Sequence, residues 1–167
     1  MNKFDDLRNK SYLEIIGIYL KEFKPIFLEK NEDRPLDVLV VSFIVNSSNR
    51  NMTLTFLPNV ESLLKYSQLL QFFSPLPGLK YLGADKEINK LIVFINSQLP
   101  IGNFSYNNNG EVFWKYSHLI PTEKLSAEKQ FSDLFLCSFQ IINMFGEELR
   151  MAISGEKNVS EVMKAFG

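Results

Sequence analysis

Apolar positions recur along the chain at two different spacings. Leu13, Ile16, Leu20 and Phe23 repeat at helical spacing, and Ser11-Tyr12-Leu13-Glu14 has the form of a capping box with Ser11 as N-cap and Glu14 at the third position. They predict a helix over about residues 12–24, ended or kinked by Pro25. Residues 26–30 either extend it or form a short strand. Beyond the polar connector Asn31 to Pro35, the stretch Asp37 to Asn46 is β-branched and almost continuously apolar, the pattern of a central strand covered on both faces. Met52 to Leu57 alternates instead, with Met52, Leu54 and Phe56 on one side and Thr53 and Thr55 on the other. Across the turn material Ser47-Ser48-Asn49-Arg50-Asn51 the two segments predict a hairpin.

Pro58 suits the first position of a second helix, with Val60, Leu63, Leu64, Ser67 and Leu70 turned inward. Residues 74–87 hold Pro75, Pro77, Gly78 and Gly83 and predict a loop. Leu91 to Asn96 reads as a third strand, Asn103 to Tyr106 as a fourth and Glu111 to Leu119 as a fifth. Between the last two, Asn107-Asn108-Asn109-Gly110 predicts a type I′ hairpin turn, because Asn-Gly tolerates positive φ. Val112, Trp114, Tyr116 and His118 share one side of the fifth strand. Ser126 is a candidate N-cap for a long final helix that buries Phe131, Leu134, Phe135, Ile141, Ile142, Phe145 and Leu149, with Gly155 as C-cap. Residues 158–166 add a short helix. The expected fold is α+β: an antiparallel sheet of about five strands packed against helices, as one domain over residues 1–167.

Composition narrows the function. At 46% hydrophobic and 22% charged residues the chain is ordinary for a globular protein, but 15 Phe, 6 Tyr and 1 Trp require a voluminous core. A net charge of −1 without a Lys/Arg run argues against nucleic acid as partner. No apolar run approaches the roughly 20 residues that span a bilayer, and Met1 to Asp6 lacks a signal-peptide core. A cytoplasmic location away from membranes is expected, where the Asn51-Met52-Thr53 triplet has no glycosylation meaning.

Chemistry is sparse. One histidine, His118, and one cysteine, Cys137, cannot build a typical zinc site. His118 reads as a strand residue and Cys137 as a small buried hydrophobe in a helix. Asp5-Asp6 and Glu147-Glu148 are adjacent carboxylates that point about 100° apart on a helix and read as solvated surface. With no P-loop and no Gly-x-Gly-x-x-Gly, no catalytic, cofactor-binding or metal-binding residue is assigned, and no enzymatic activity is expected. The candidate partner-binding face is Phe104, Tyr106, Val112, Trp114 and Tyr116, since aromatics with a polar tip favour interfaces. The alternative is that the same face packs beneath the long helix.

Leu91-Ile92-Val93-Phe94-Ile95-Asn96, Leu99-Pro100-Ile101-Gly102-Asn103-Phe104, Gly110-Glu111-Val112-Phe113-Trp114-Lys115-Tyr116 and Leu125-Ser126-Ala127-Glu128 together resemble the YbjN-domain family over about residues 88–155. That family is similar in fold to class I type III secretion chaperones. The resemblance implies a helix-sheet-helix sandwich, homodimerisation and non-enzymatic binding of a polypeptide partner, by apolar patches and sheet edges. A small-molecule-binding regulator, with an apolar pocket between sheet and helices, is the second expectation.

Overall fold

A computed structural model describes residues 3–45, 48–58, 64, 66–81, 85–125 and 128–167. The chain is α+β, with helices packed on a six-stranded antiparallel sheet of order β1-β2-β3-β4-β6-β5. The elements are α1 (Lys3–Tyr19), a 3-10 turn (Lys21–Phe23), β1 (Ile26–Leu28), β2 (Val38–Val45), β3 (Ser48–Phe56), β4 (Ser67–Lys80), α2 (Lys86–Gln98), β5 (Asn103–Tyr106), β6 (Glu111–Pro121), α3 (Glu128–Ile153) and α4 (Val159–Phe166). Two compact units divide the chain: one comprises Met1–Phe73 with Ser117–Phe135, the other Ser74–Tyr116 with Leu136–Gly167.

In the first unit, α1 starts well before the expected cap, and Ser11 lies exposed in mid-helix. Leu13, Ile16 and Leu20 are buried as their spacing predicts, and α1 packs on β1, β2 and β3. Gly17 lets the helix approach: a Cβ there would sit 3.3 Å from Leu39. Pro25 ends the helical run, and residues 26–28 take the strand option, pairing antiparallel with β2 from Ile26↔Val40 to Leu28↔Val38. The β2–β3 hairpin forms in register Leu39↔Leu54 through Val45↔Ser48, so residues 48–51, expected in the turn, are strand. Ser47 lies outside the described residues. β2 is covered on one face, not two. Leu39, Val41 and Phe43 are buried beneath helices, whereas Ser42 and Ile44 face out and are exposed.

The second helix is overturned where it can be seen. Ser67 to Leu70 begin β4, and its register with β3 runs from Thr53↔Phe73 to Phe56↔Leu70. Val60 and Leu63 lie outside the described residues. The doubled apolar pairs Leu69-Leu70 and Phe72-Phe73 conceal a period of two that burial reveals at Gln68, Leu70 and Phe72. The start of α3 closes this unit's core, with Phe135 meeting Phe23 and Phe43 at ring-centroid distances of 4.6 and 6.3 Å. Ser126, the expected cap of α3, lies outside the described residues.

In the second unit, the expected loop from residue 74 is the continuation of β4 as far as Lys80. Burial alternates through Ser74 and Leu76, then skips to Leu79 and Tyr81. The slip marks a bulge at Pro77-Gly78, where Gly78 takes φ +78°. A bulge is one of the few places within a strand where prolines, which cannot donate, are tolerated. The expected third strand is helix α2. Asp85 caps it, its carboxylate accepting from Glu87 N–H (2.8 Å) and Ile88 N–H (3.4 Å). Once Ile88 is counted, the buried set Ile88, Leu91, Ile92 and Ile95 has helical spacing, and Val93 faces out.

The β5–β6 hairpin forms as expected, but its turn is not type I′. Asn108 and Asn109 keep negative φ and only Gly110, at +76°, is left-handed. Gly110 N–H bonds Asn107 C=O at 2.9 Å, giving a three-residue loop with a glycine bulge. Within α3, Ile141, Ile142, Phe145 and Leu149 are buried, while Leu134, nearer its start, is half-buried. Gly155 follows the helix at φ +76°, and α4 opens on an Asn158–Glu161 capping box.

Candidate binding surfaces

The aromatic strand face can be placed first. Phe104 pairs with Trp114 and Tyr106 with Val112 across the β5–β6 ladder. Phe104, Val112 and Trp114 are buried, with Trp114 at 0% exposure, while Tyr106 and Tyr116 are half-buried. The packed alternative therefore describes this face: three of the five candidate contact residues are core. Gly146 of α3 lies over it, close enough that a Cβ would sit 3.7 Å from the Phe104 ring. Gly102, at φ +69°, lets the Trp114 indole lie against the backbone. Trp114 Nε1 has no hydrogen-bond partner among the described residues. Tyr81 and Tyr106 meet edge to face at 5.0 Å. Phe104 and Trp114 are fully buried on this face of the sheet.

The opposite face of the sheet is different. In the first unit it carries Ile26 and Leu28 from β1, Val38, Val40, Ser42 and Ile44 from β2, Asn49, Asn51, Thr53 and Thr55 from β3, Leu69, Gln71 and Phe73 from β4, and Ser117 and Leu119 from β6. None of these is buried, and none is charged. Ile26, Ile44 and Leu119 are 57%, 67% and 53% exposed. A solvent-facing sheet surface normally alternates apolar-in with polar and charged out, so an uncharged outer face across five strands is a departure. The signal was present in the sequence: the almost continuous apolar run of β2 announced two apolar faces, but not that one of them would be left open.

β1 is the sheet edge in this unit. Its inner side chain, Phe27, lies under the Lys10 ammonium at 5.9 Å, and Lys10 also pairs with Glu29 at 2.6 Å. Lys30 bridges to Asp6 at 2.7 Å, and its N–H bonds the Asp37 carboxylate at 2.8 Å. These charges sit at the α1 side and the strand ends. Ile26 and Leu28 leave the outer side apolar.

The other candidate chemistry stays separate. Among the described residues no group of three or more His, Cys, Asp or Glu side chains could hold a metal ion. Cys137 is a free, half-buried thiol on α3. The adjacent carboxylates are ion-paired and not merely solvated: Asp5 with Arg8, Asp6 with Lys30, Glu147 with Arg150 and Glu148 with Lys157. Arg150 also takes both oxygens of Glu156, whose carboxyl is held down at about 2 by that pairing and by Ser154.

His118 is half-buried, with its ring edge-on to Phe131 at 6.3 Å. Burial lowers its pKa from the ordinary 6.5. The unfolded chain takes up this proton more readily than the folded one. The stabilisation is therefore complete above about pH 6.5 and declines as the pH falls through that value. The single imidazole makes a direct test possible: its ring-proton resonance is expected to titrate with a midpoint below 6.5. A midpoint above that value would mean that a carboxylate, not burial, governs the ring.

Among the described residues no helix is long and apolar enough to cross a membrane. No protein-family model matches the chain, and no curated protein matches it.

Proposed function

We propose that the protein is a non-enzymatic polypeptide-binding module, chaperone-like or adaptor in character, acting in the cytoplasm as a homodimer. The observation that carries this reading is the uncharged outer face of the first unit's sheet, with Ile26 and Ile44 exposed beside the short edge strand β1. Its occupant is an extended segment with alternating apolar side chains. Such a segment pairs with the strand edge and places every second side chain on the uncharged face. Charged partners are disfavoured, since no charged side chain on the face would offset their lost hydration. The resemblance to YbjN-domain proteins and secretion chaperones supports the same mode. Residues 91–96, an apolar strand in that pattern, are helical here and lend it no support.

The test is a titration with a permanently unfolded, reduced and alkylated polypeptide, followed by amide chemical shifts and light scattering. Shifts are expected at residues 26–28, 38–44 and 53, and the protein before addition of the polypeptide should scatter as a particle of twice 19.3 kDa. The double variant Ile26→Lys/Ile44→Lys should keep the wild-type melting temperature, because both side chains are exposed, and bind at least about tenfold more weakly. Wild-type protein that ignores unfolded chains, or a double variant that binds them equally well, would sink the proposal.

A further inference from the structure

The second sheet edge, β5, is four residues long. An edge strand presents outward peptide groups that template pairing with another chain. At Phe104 both groups are already taken. Asn96, late in α2, donates from Nδ2 to Phe104 C=O at 3.0 Å and accepts at Oδ1 from Phe104 N–H at 2.8 Å. A single planar side-chain amide thus reproduces the donor-acceptor pair that a neighbouring strand would supply. Asn103 Nδ2 reaches the same carbonyl at 3.4 Å. Seven residues earlier on α2, Asn89 Oδ1 accepts from the Tyr106 hydroxyl at 3.4 Å. Seven residues are about two turns, so Asn89 and Asn96 lie on one side of the helix and hold it along the strand.

We propose that Asn96 is an edge lock: it fills the outward strand-pairing positions at Phe104, in the middle of β5, and keeps that edge from pairing with β5 of a second copy of this chain. Asn is suited to the role because it donates and accepts within one rigid plane. Asp could not donate to the Phe104 carbonyl, and an alkyl side chain would leave the Phe104 N–H unpaired and its carbonyl with only the longer 3.4 Å bond from Asn103.

Amide hydrogen exchange on the native protein is the first test. Phe104 N–H should be protected to within about tenfold of Ser105 N–H, whose residue pairs with Phe113 of β6. Asn96→Ala and Asn96→Asp should lose roughly 10- to 100-fold of the Phe104 protection. Light scattering should give both variants a higher mass than wild type at equal concentration. Adding Ser105→Lys to Asn96→Ala should restore the wild-type mass, since a charge on an edge opposes pairing. Folded variants that keep the wild-type mass overturn the proposal, as does solvent-like exchange at Phe104 in the native protein. Should the Ala variant fail to fold, exchange in the wild type and the mass of the Asp variant decide.

Discussion

Gly102→Ala is expected to cost roughly 2–5 kcal/mol of stability, far more than one added methyl group suggests. Two effects combine. Gly102 holds φ +69°, and an L-residue in that left-handed region costs about 1–2 kcal/mol. A Cβ at this position would also lie only 2.5 Å from Trp114 Cζ2 and 2.7 Å from its Nε1. The indole cannot swing away, because it is completely buried and paired across the ladder with Phe104. Overpacking of a tight core adds about 1–3 kcal/mol. The two effects separate in a double-mutant cycle by urea denaturation. In a Trp114→Leu background the clash is absent, so the Ala substitution should cost only the backbone share, about 1–2 kcal/mol. Equal costs in both backgrounds would show that the indole does not press on Gly102.

Phe135→Ala should be the most damaging single truncation in the first unit, at about 3–5 kcal/mol. The ring is fully buried and touches Phe23 at 4.6 Å and Phe43 edge-on at 6.3 Å, so its loss opens a cavity and breaks two aromatic contacts. For a chain of this length a loss of that size lowers Tm by roughly 10 °C. The adjacent Leu136 is an internal control. It is 44% exposed, and Leu136→Ala should change stability by no more than about 0.5 kcal/mol. A Phe135→Ala variant that melts with the Leu136→Ala variant would place the core of this unit elsewhere.

Elements defined by contacts near in sequence were legible. The long amphipathic α3, the β5–β6 hairpin, Gly155 after α3 and the closing helix α4 all stand about where the sequence reading places them. Each rests on local chemistry: a stripe at helical spacing, an Asn-Gly turn, a glycine with positive φ. The alternation of β6 was legible too, with Val112 and Trp114 sharing a side with Tyr116 and His118. What could not be read was whether that side would be covered, since one alternating strand serves equally a core or an open surface.

The two reversed assignments have a common cause. Leu91 to Asn96 is β-branched and apolar enough for a strand, yet Ile88 and Asp85 extend it into a capped helix. Leu69 to Phe73 looks helical when joined to the apolar residues before it, yet it alternates once its burial is known. A run with apolar residues at nearly every position satisfies both periods, and only the neighbours it packs against select one.

By itself, then, the sequence determined the α+β class, the hairpins, the two C-terminal helices and the aromatic weight of the core. Spacing, turn geometry and caps act over a few residues and need no distant partner. The tertiary structure alone decided that the Trp114 face is packed, that an uncharged sheet face is left open, and that Asn96 reaches the edge of β5. Those outcomes depend on which surfaces separate elements bring together, and burial is a property of the assembled fold that no short window of sequence contains.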